Sequence, residues 1–166
     1  TILDVGTGTG RWAVDMARRY PHARVYGIDL RQVDIDPATA AQGCLPLPSN
    51  VVFETVNVME GFPFNTGTFD FVHSRLLVGG ITNWETYLAN LFRITRRAGK
   101  VECIEVELLP ISRNGKHPRA IEAWTALSST LLRKRQLDPQ CATALKDRMM
   151  QAGFESVAEE ILEVPV

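Results

Sequence analysis

The stretch ILDVGTGTG, residues 2–10, constrains the fold of this chain more than any other feature of the sequence. A short apolar run followed by glycines at alternate positions, Gly6, Gly8 and Gly10, predicts a buried strand that turns sharply into a helix. Glycine suits this place because a Cβ would hinder both the sharp turn and the close approach of a ligand to the backbone. We therefore expect a ligand to bind where the first strand ends.

Strand patterns and helix patterns alternate along the rest of the chain. Strands are predicted at residues 1–5, 23–30, 51–58, 69–76, 100–109 and 154–165. Helices are predicted at residues 11–20, 83–97, 119–135 and 139–152, with a short helix starting at Pro37 and with Gly99 as the left-handed residue that ends helix 83–97. The crossover connections predict an α/β fold: a Rossmann-like, doubly wound, mostly parallel sheet with helices on both faces. In such a sheet, ligands bind at the carboxyl ends of the strands.

The length of 166 residues and a hydrophobic content of 45% predict one domain over residues 1–166. We expect residues 1–109 to bind the ligand and residues 110–166 to add helices and a last strand. We interpret the chain as trimmed at both ends, because a strand pattern begins almost at Thr1 and another stops at Val166. In the second part, one helix face is predicted to carry Ile121, Trp124, Leu127 or Ser128, and Leu131.

Composition narrows the classes of function. Eighteen basic and nineteen acidic residues leave a formal charge of −1, which gives no net attraction to nucleic acid or to an anionic membrane. Cys44, Cys103 and Cys141 are odd in number and widely spaced, which argues against a disulfide framework or a metal site. We expect buried thiols in a reducing compartment, the cytoplasm or the nucleus. No apolar run approaches the roughly 20 residues of a membrane span.

The glycine spacing distinguishes two kinds of nucleotide site. A dinucleotide fingerprint needs a small residue at its sixth position, and Arg11 stands there. An acidic residue, Asp4, instead precedes the three alternating glycines, and this resembles motif I of class I S-adenosylmethionine-dependent methyltransferases. Asp29 ends the second predicted strand nineteen residues after Gly10, from where a carboxylate can accept both hydroxyls of a ribose. The alternative interpretation of Asp29 is a helix cap or a turn residue.

Longer stretches resemble the fungal LaeA-like methyltransferases. The resemblance rests on ILDVGTGTGRWAVDMA, VYGIDL, NVVFETVNV, FDFVHSRLLVGGITNW and FRITRRAGKVECIEVE, which together run from Thr1 to about Glu107. It implies a class I methyltransferase fold and S-adenosylmethionine as the cofactor. It places residues 1–109 in the cofactor-binding half and residues 110–166 on the acceptor side.

The resemblance also implies roles for individual residues. Asp29 would bind the ribose and Leu30 would lie against the adenine, while Asn57 and Val58 match the position that reads the adenine edge. The family commonly has acidic residues there, so this chain departs from it at Asn57-Val58-Met59. Arg31 lies over the adenine or points to solvent. The methionine and ribose end of the pocket would be shaped by Asp4, Gly6, Thr7, Gly8 and Gly10.

His73 and Arg75 come at the end of the fourth predicted strand, where the reactive end of the cofactor would lie. Arg75 would pair with the cofactor carboxylate or with a buried acid. His73 is the candidate general base, with His117 as a second candidate, for an acceptor that must lose a proton. The alternative for His73 is a structural histidine that satisfies a loop carbonyl. Trp84 and Trp124 are predicted packing residues, although Trp124 belongs to a segment that often lines the acceptor pocket.

The leading hypothesis is S-adenosylmethionine-dependent methyl transfer to an unknown small-molecule or protein acceptor. The chain lacks the Asn/Asp-Pro-Pro-aromatic tetrapeptide of amino-group nucleic-acid methylases, and its charge gives no support for a nucleic-acid acceptor. The alternative is a weak or inactive methyltransferase-like regulator or scaffold with protein partners, in fungal secondary metabolism or development. A nicotinamide-dependent oxidoreductase is disfavoured by Arg11.

Overall fold

A computed structural model of the protein describes residues 1–33, 46–107 and 118–163. Within these ranges no helix is both long enough and apolar enough to cross a membrane. In chain order the elements are β1 (Ile2–Val5), α1 (Arg11–Arg19), β2 (Val25–Asp29), β3 (Val51–Thr55), β4 (Phe69–Arg75), α2 (Trp84–Ile94), β5 (Thr95–Ile104), α3 (Arg119–Lys134) and α4 (Cys141–Gln151).

The five strands form one sheet in the order β3-β2-β1-β4-β5, and every neighbouring pair is parallel. On one side of β1 the sheet extends through β2 to β3, and on the other side it extends through β4 to β5. The strand order therefore reverses between β1 and β4, where a doubly wound sheet opens its ligand crevice. The register puts Asp4 opposite both Gly27 of β2 and His73 of β4. The predicted α/β, mostly parallel sheet is confirmed.

Helices cover both faces of the sheet, because α1 presents an apolar side to one face and α2 presents one to the other. The helix α1 starts directly after Gly10, and its Ala13 and Ala17 join a small core cluster with residues of β1, β2 and β3. The Asn83 side chain caps α2 by accepting a hydrogen bond from the Thr86 N–H at 2.8 Å. The larger core cluster lies on the other face and includes Leu3, Val5, Ile28, Val72, Tyr87, Leu88, Leu91, Ile94, Cys141 and Leu145.

The junction of α2 and β5 differs from the prediction. The helix ends at Ile94 and β5 runs from Thr95 to Ile104, so the predicted boundaries at 97 and 100–109 are wrong. The left-handed residue there is Ala98, with φ 62°, and not Gly99. Gly99 lies within β5, where a Cβ would approach the Thr95 side chain to 2.7 Å. Close packing against the preceding turn explains this glycine.

The region after β5 holds the other differences. The predicted strand 154–165 is wrong for residues 154–163, which pair with none of the described strands and so lack the neighbour that a strand requires. The predicted packing of Trp124 is wrong because α3 has no buried side chain, whereas Trp84 is buried as predicted. Five predictions fall outside the described residues: the helix starting at Pro37, Cys44, residues 108–109 of the fifth strand, His117, and residues 164–165 of the last strand.

Candidate functional site

The loop between β1 and α1 is built on glycines in left-handed backbone conformations. Gly6, Gly8 and Gly10 have φ values of 69°, 57° and 75°. The N–H groups of Gly6 and Thr7 both donate to the Ile28 carbonyl, at 2.8 and 2.9 Å, which anchors the loop to β2. A Cβ would meet the Leu77 side chain at Gly6 and the Phe53 ring at Gly10, but nothing within 4 Å at Gly8. Open space therefore lies over the middle of the loop.

Asp29, the last residue of β2, faces this loop. Its Oδ2 accepts a hydrogen bond from the Gly8 N–H at 2.9 Å, and its Oδ1 accepts one from the Arg31 N–H at 3.1 Å. Each oxygen of an ionised carboxylate has about two acceptor positions, so both oxygens can still accept a hydroxyl. Leu30 follows directly and is 67% exposed. A carboxylate and an apolar side chain thus border the open space together.

A buried polar chain lies beneath the loop. The Thr7 hydroxyl donates to Asp4 Oδ2 at 2.5 Å, and Asp4 Oδ1 lies 2.8 Å from His73 Nδ1. All three side chains are buried. The contact needs one proton between the two atoms, because a ring nitrogen and a carboxyl oxygen that both only accept would not bond to each other. Asp4 thereby joins a residue of the glycine loop to β4.

His73 lies within β4. The Trp12 ring stacks on it with a centroid separation of 3.9 Å and an interplanar angle of 7°. Its Nε2 lies 3.7 Å from Glu102 Oε2 of β5. The ring is therefore held by Asp4 in the plane of the imidazole and by Trp12 across its face.

The exit of β3 lies beside Asp29. The Val56 N–H donates to the Asp29 carbonyl at 2.8 Å, and a turn follows over residues 57–60. Asn57 stabilises that turn, because its Nδ2 donates to Glu60 Oε1 at 2.7 Å and its Oδ1 accepts from the Met59 N–H at 3.1 Å. The Val58 side chain packs against the larger core cluster. The amide of Asn57 is thus engaged within its own turn.

Not all of the predicted site residues touch one another. Hydrogen bonds join Thr7, Asp4 and His73 in one group, and Gly8 with Asp29 in a second. Arg75 is exposed at the end of β4, and no hydrogen bond between the described residues joins its side chain to either group. Within the same residues, no cluster of three or more His, Cys, Asp or Glu side chains could hold a metal ion.

Sequence reasoning missed Glu105, which directly follows β5. Its Oε1 accepts from the Leu77 N–H at 2.8 Å and its Oε2 accepts from the Val78 N–H at 3.0 Å. Burial raises the pKa of Glu105 above its ordinary 4.5, although the two N–H groups act in the opposite direction. The signal in the sequence is Glu105 itself, one of two glutamates in the otherwise apolar run CIEVELL.

Three ionisable side chains that interact with this carboxylate, those of Tyr87, Cys103 and Cys141, are neutral. The Tyr87 hydroxyl donates to Ser74 Oγ at 2.8 Å, and burial raises the pKa of Tyr87 well above 10. Burial also raises the pKa of the Cys103 and Cys141 thiols to about 12. Thiols with such pKa values are poor nucleophiles at neutral pH, so these cysteines are packing residues. Both are free, Cys141 buried and Cys103 partly so.

Comparison with known proteins gives a family match over most of the sheet. A family model described as a methyltransferase domain matches residues 2–99. Methyltransferase str3 of Strobilurus tenacellus is 29% identical over 167 residues, which cover 99% of this chain and 57% of that protein. The secondary metabolism regulator laeA of Coprinopsis cinerea is 32% identical over 174 residues, which cover 99% of this chain and 41% of that protein. The chain spans about half the length of these curated relatives.

Solved structures share the fold. Phosphoethanolamine N-methyltransferase 2 of Haemonchus contortus, in complex with S-adenosyl-L-methionine, gives a TM-score of 0.67 at 19% identity and covers 93% of this chain and 33% of that one. A SAM-dependent methyltransferase from Aquifex aeolicus gives a TM-score of 0.60 at 17% identity and covers 92% of this chain and 70% of that one. At these identities the likeness concerns the fold.

Proposed function

We propose that this chain, which belongs to the methyltransferase domain family, binds S-adenosylmethionine over the loop of residues 6–10 and transfers its methyl group to an acceptor. The methyltransferase family and the Rossmann-like fold predicted from the sequence are confirmed by the family match and by the solved structures. The resemblance to fungal LaeA-like methyltransferases is confirmed by relatives of that name in Coprinopsis cinerea and Aspergillus flavus. S-adenosylmethionine is the cofactor of this class.

The pairing of Asp29 with the Gly8 N–H carries the proposal. It holds a carboxylate with free acceptor positions at the edge of the open space over Gly8. A vicinal diol of a ribose matches such a carboxylate, because each hydroxyl can donate to one oxygen. The backbone of the loop is uncovered at Gly8, so the ligand can approach it closely. The residues present therefore fit the adenosyl part of the cofactor.

For the adenine we propose Leu30, Asn57 and Val58. The exposed side chain of Leu30 offers an apolar surface, and the hydrogen bond from Val56 to Asp29 keeps the turn of residues 57–60 at the same edge of the sheet. Asn57 already bonds to Glu60 and Met59, so its amide has fewer free positions for a base than the Asp29 carboxylate has for a ribose.

The bound cofactor supplies an activated methyl group on a sulfonium, so the S–CH₃ bond breaks as the bond from acceptor to CH₃ forms. The chain's own residues align the two reactants, which is the larger part of catalysis in such a displacement. Gly6, Gly8 and Gly10 define the loop, Asp4 and Thr7 hold it from below, and exposed Arg75 is the proposed partner of the cofactor's carboxylate.

The role of His73 as a general base stays a prediction. A base needs a ring nitrogen within hydrogen-bond reach of the proton that it takes. In His73 the Nδ1 position is used by Asp4, the ring is buried, and Nε2 faces Glu102. These contacts favour the structural alternative for His73, with the Asp4 carboxylate in place of the loop carbonyl that the sequence suggested. We propose that His73 positions Asp4 and thereby Thr7.

A methyltransferase-like regulator with weak or no turnover is the second candidate. The engagement of Asn57 within its own turn and the secondary metabolism regulators among the relatives favour it. Under both proposals the protein acts in the cytoplasm or nucleus, which the cysteine spacing supports, and its partners are a small-molecule or protein acceptor and regulatory proteins.

The test is isothermal titration of the protein with S-adenosylhomocysteine. Asp29→Ala should weaken binding by about tenfold to a hundredfold, since about 1.5–3 kcal/mol is typical of hydrogen bonds to a charged group. Asp147→Ala, at an exposed position of α4, is the matched control and should bind as the wild type does. Absence of binding by the wild type would refute the proposal. Binding without methyl transfer across a panel of acceptors would favour the regulator.

A further inference from the structure

We propose that Glu105 is a positioning residue of the cofactor site, which holds the turn of residues 77–81 against the glycine loop of residues 6–10. The inference rests on the proposed function, because that loop is the proposed cofactor cradle. Glu105 itself need not touch the cofactor. It acts through the backbone of Leu77 and through the side chain that this residue places beside Gly6.

The carboxylate closes a gap in the hydrogen bonding of the turn. The turn bonds to itself through the N–H groups of Gly80 and Ile81, which both donate to the Leu77 carbonyl, at 2.8 and 3.0 Å. The first N–H groups of such a turn have no partner inside it. Those of Leu77 and Val78 donate one to each oxygen of Glu105. One side chain at the end of β5 therefore fixes the chain that leaves β4.

The turn of residues 77–81 also contacts the glycine loop of residues 6–10. The Leu77 side chain fills the space where a Cβ of Gly6 would lie, so it packs directly on the backbone of Gly6. Just before it, Leu76 has a φ of 58°, a left-handed conformation that is unfavourable for a leucine. The chain does not keep this conformation without contacts that compensate for it. Loss of the Glu105 bonds would thus release Leu77 and remove a wall of the loop.

The surroundings of Glu105 argue against a purely stabilising role. Among the described residues, the ionisable groups whose pKa its charge raises are Tyr87 of α2, Cys103 of β5 and Cys141 of α4. All three have raised pKa values and are neutral, so none of them compensates the charge of the carboxylate. Partial burial of such a charge lowers the stability of the fold, as the raised pKa of Glu105 shows. A charge kept at a cost to the fold fits a role in placing the turn.

The central variant is Glu105→Gln. Glutamine has the same size, but its amide turns one acceptor into a donor that faces a backbone N–H. We expect S-adenosylhomocysteine to bind about tenfold more weakly, the equivalent of one lost charge-assisted hydrogen bond. Glu155→Gln, at an exposed position, is the matched control and should leave the affinity unchanged. Glu105→Asp keeps the charge and should recover part of the affinity.

A second measurement needs no cofactor. In the wild-type protein, the amide NMR signals of Leu77 and Val78 should shift with pH as Glu105 titrates, with a midpoint above 4.5. In Glu105→Gln this titration should disappear, while the amides of residues 11–19 in α1 behave as in the wild type. If Glu105→Gln does not fold, the wild-type titration alone decides whether the carboxylate holds these two amides.

The outcomes separate the two proposals. A wild type that binds no S-adenosylhomocysteine refutes the proposed function, whatever the amides do. A wild type that binds, with Glu105→Gln binding equally well, overturns the role of Glu105 and leaves the proposed function standing. Leu77 and Val78 amides that do not follow the Glu105 carboxylate would also overturn it.

Discussion

The helices α2 and α3 have similar sequence patterns and opposite surroundings. Both carry apolar residues at spacings of three and four, and α3 is the longer, at 16 residues against 11. Trp84 at the start of α2 is 2% exposed, whereas Trp124 in α3 is 52% exposed. The helix α2 packs against β5 and α4, and its buried residues are Trp84, Tyr87, Leu88, Leu91 and Ile94. The helix α3 buries none.

The difference shows what a periodic pattern can determine. An apolar stripe specifies which side of a helix will be buried if a partner is present, and the partner decides whether it is buried. A helix without tertiary contacts depends on its intrinsic propensity, which gives little stability in water. We therefore expect the sheet with α2 to unfold cooperatively, and α3 to contribute little to the free energy of unfolding.

A matched pair of leucine truncations gives the largest expected contrast. Leu88→Ala removes a side chain that is 0% exposed in α2, and should lower the free energy of unfolding by about 2–5 kcal/mol. Leu127→Ala removes one that is 60% exposed in α3, and should change it by less than about 0.5 kcal/mol. Urea denaturation followed by circular dichroism measures both. Equal losses in the two variants would show that α3 belongs to the same cooperative core.

Alanine substitutions at two glycines of the loop between β1 and α1 should differ less in their effect on the free energy of unfolding. Gly10→Ala introduces a Cβ at φ 75° and 2.8 Å from the Phe53 ring, and should lower the free energy of unfolding by roughly 1–3 kcal/mol. Gly8→Ala has the same kind of strain, at φ 57°, but open space, so about 1 kcal/mol is expected.

The affinity for S-adenosylhomocysteine should fall more in Gly8→Ala than in Gly10→Ala, although Gly10→Ala should lose more stability. At Gly8 the added methyl group points into the proposed cofactor space, so the affinity for S-adenosylhomocysteine should fall although the fold is nearly intact. Thermal denaturation and titration on the same samples separate the two effects. Normal affinity in Gly8→Ala would show that the cofactor does not lie over this glycine.

The same distinction between local and long-range determinants explains how far the sequence could predict the molecule. The turn of residues 6–10 and the place of Asp29 depend on neighbouring residues, so the pattern predicts them well. The partner of His73 does not depend on neighbouring residues, because Asp4 lies 69 residues away along the chain. The two side chains meet only through the register of β1 and β4. Glu105 meets Leu77 across 28 residues in the same way.

Errors in the predicted elements have similar causes. The exposure of α3 depends on what packs against it, and the apolar pattern of residues 154–163 predicts a strand only if a neighbouring strand exists to pair with it. At Gly99 the sequence suggested a left-handed residue, but contact with the side chain of Thr95 is what requires the missing Cβ. For α3 and residues 154–163 the sequence shows a local preference, and contacts with distant parts of the chain decide the outcome. At Gly99 the deciding contact is local, but it depends on a packing distance that the residue pattern does not show.

The smallest expected effect is a pH dependence with opposite signs at two carboxyl groups, Asp138 before α4 and Glu105 after β5. Burial alone would raise the pKa of Asp138, but the Gln140 N–H and the Arg148 guanidinium, whose Nη2 is 2.7 Å from Asp138 Oδ2, bring it below its ordinary 3.8. Stability from this group is present above 3.8 and is lost as the pH falls through the lowered pKa. At this partly exposed site we expect less than about 1 kcal/mol.

Glu105 has the opposite sign because its pKa is raised: stability falls as the pH rises from 4.5 through the raised value. Urea midpoints measured from neutral pH to below 3.8 should therefore show a smaller acid-side decline in Asp138→Asn than in the exposed control Asp147→Asn. The decline between 4.5 and neutral pH should remain in Asp138→Asn and disappear in Glu105→Gln. If one substitution removed both slopes, the titrations of the two carboxyl groups would be coupled, and their opposite signs would not belong to two separate places in the fold.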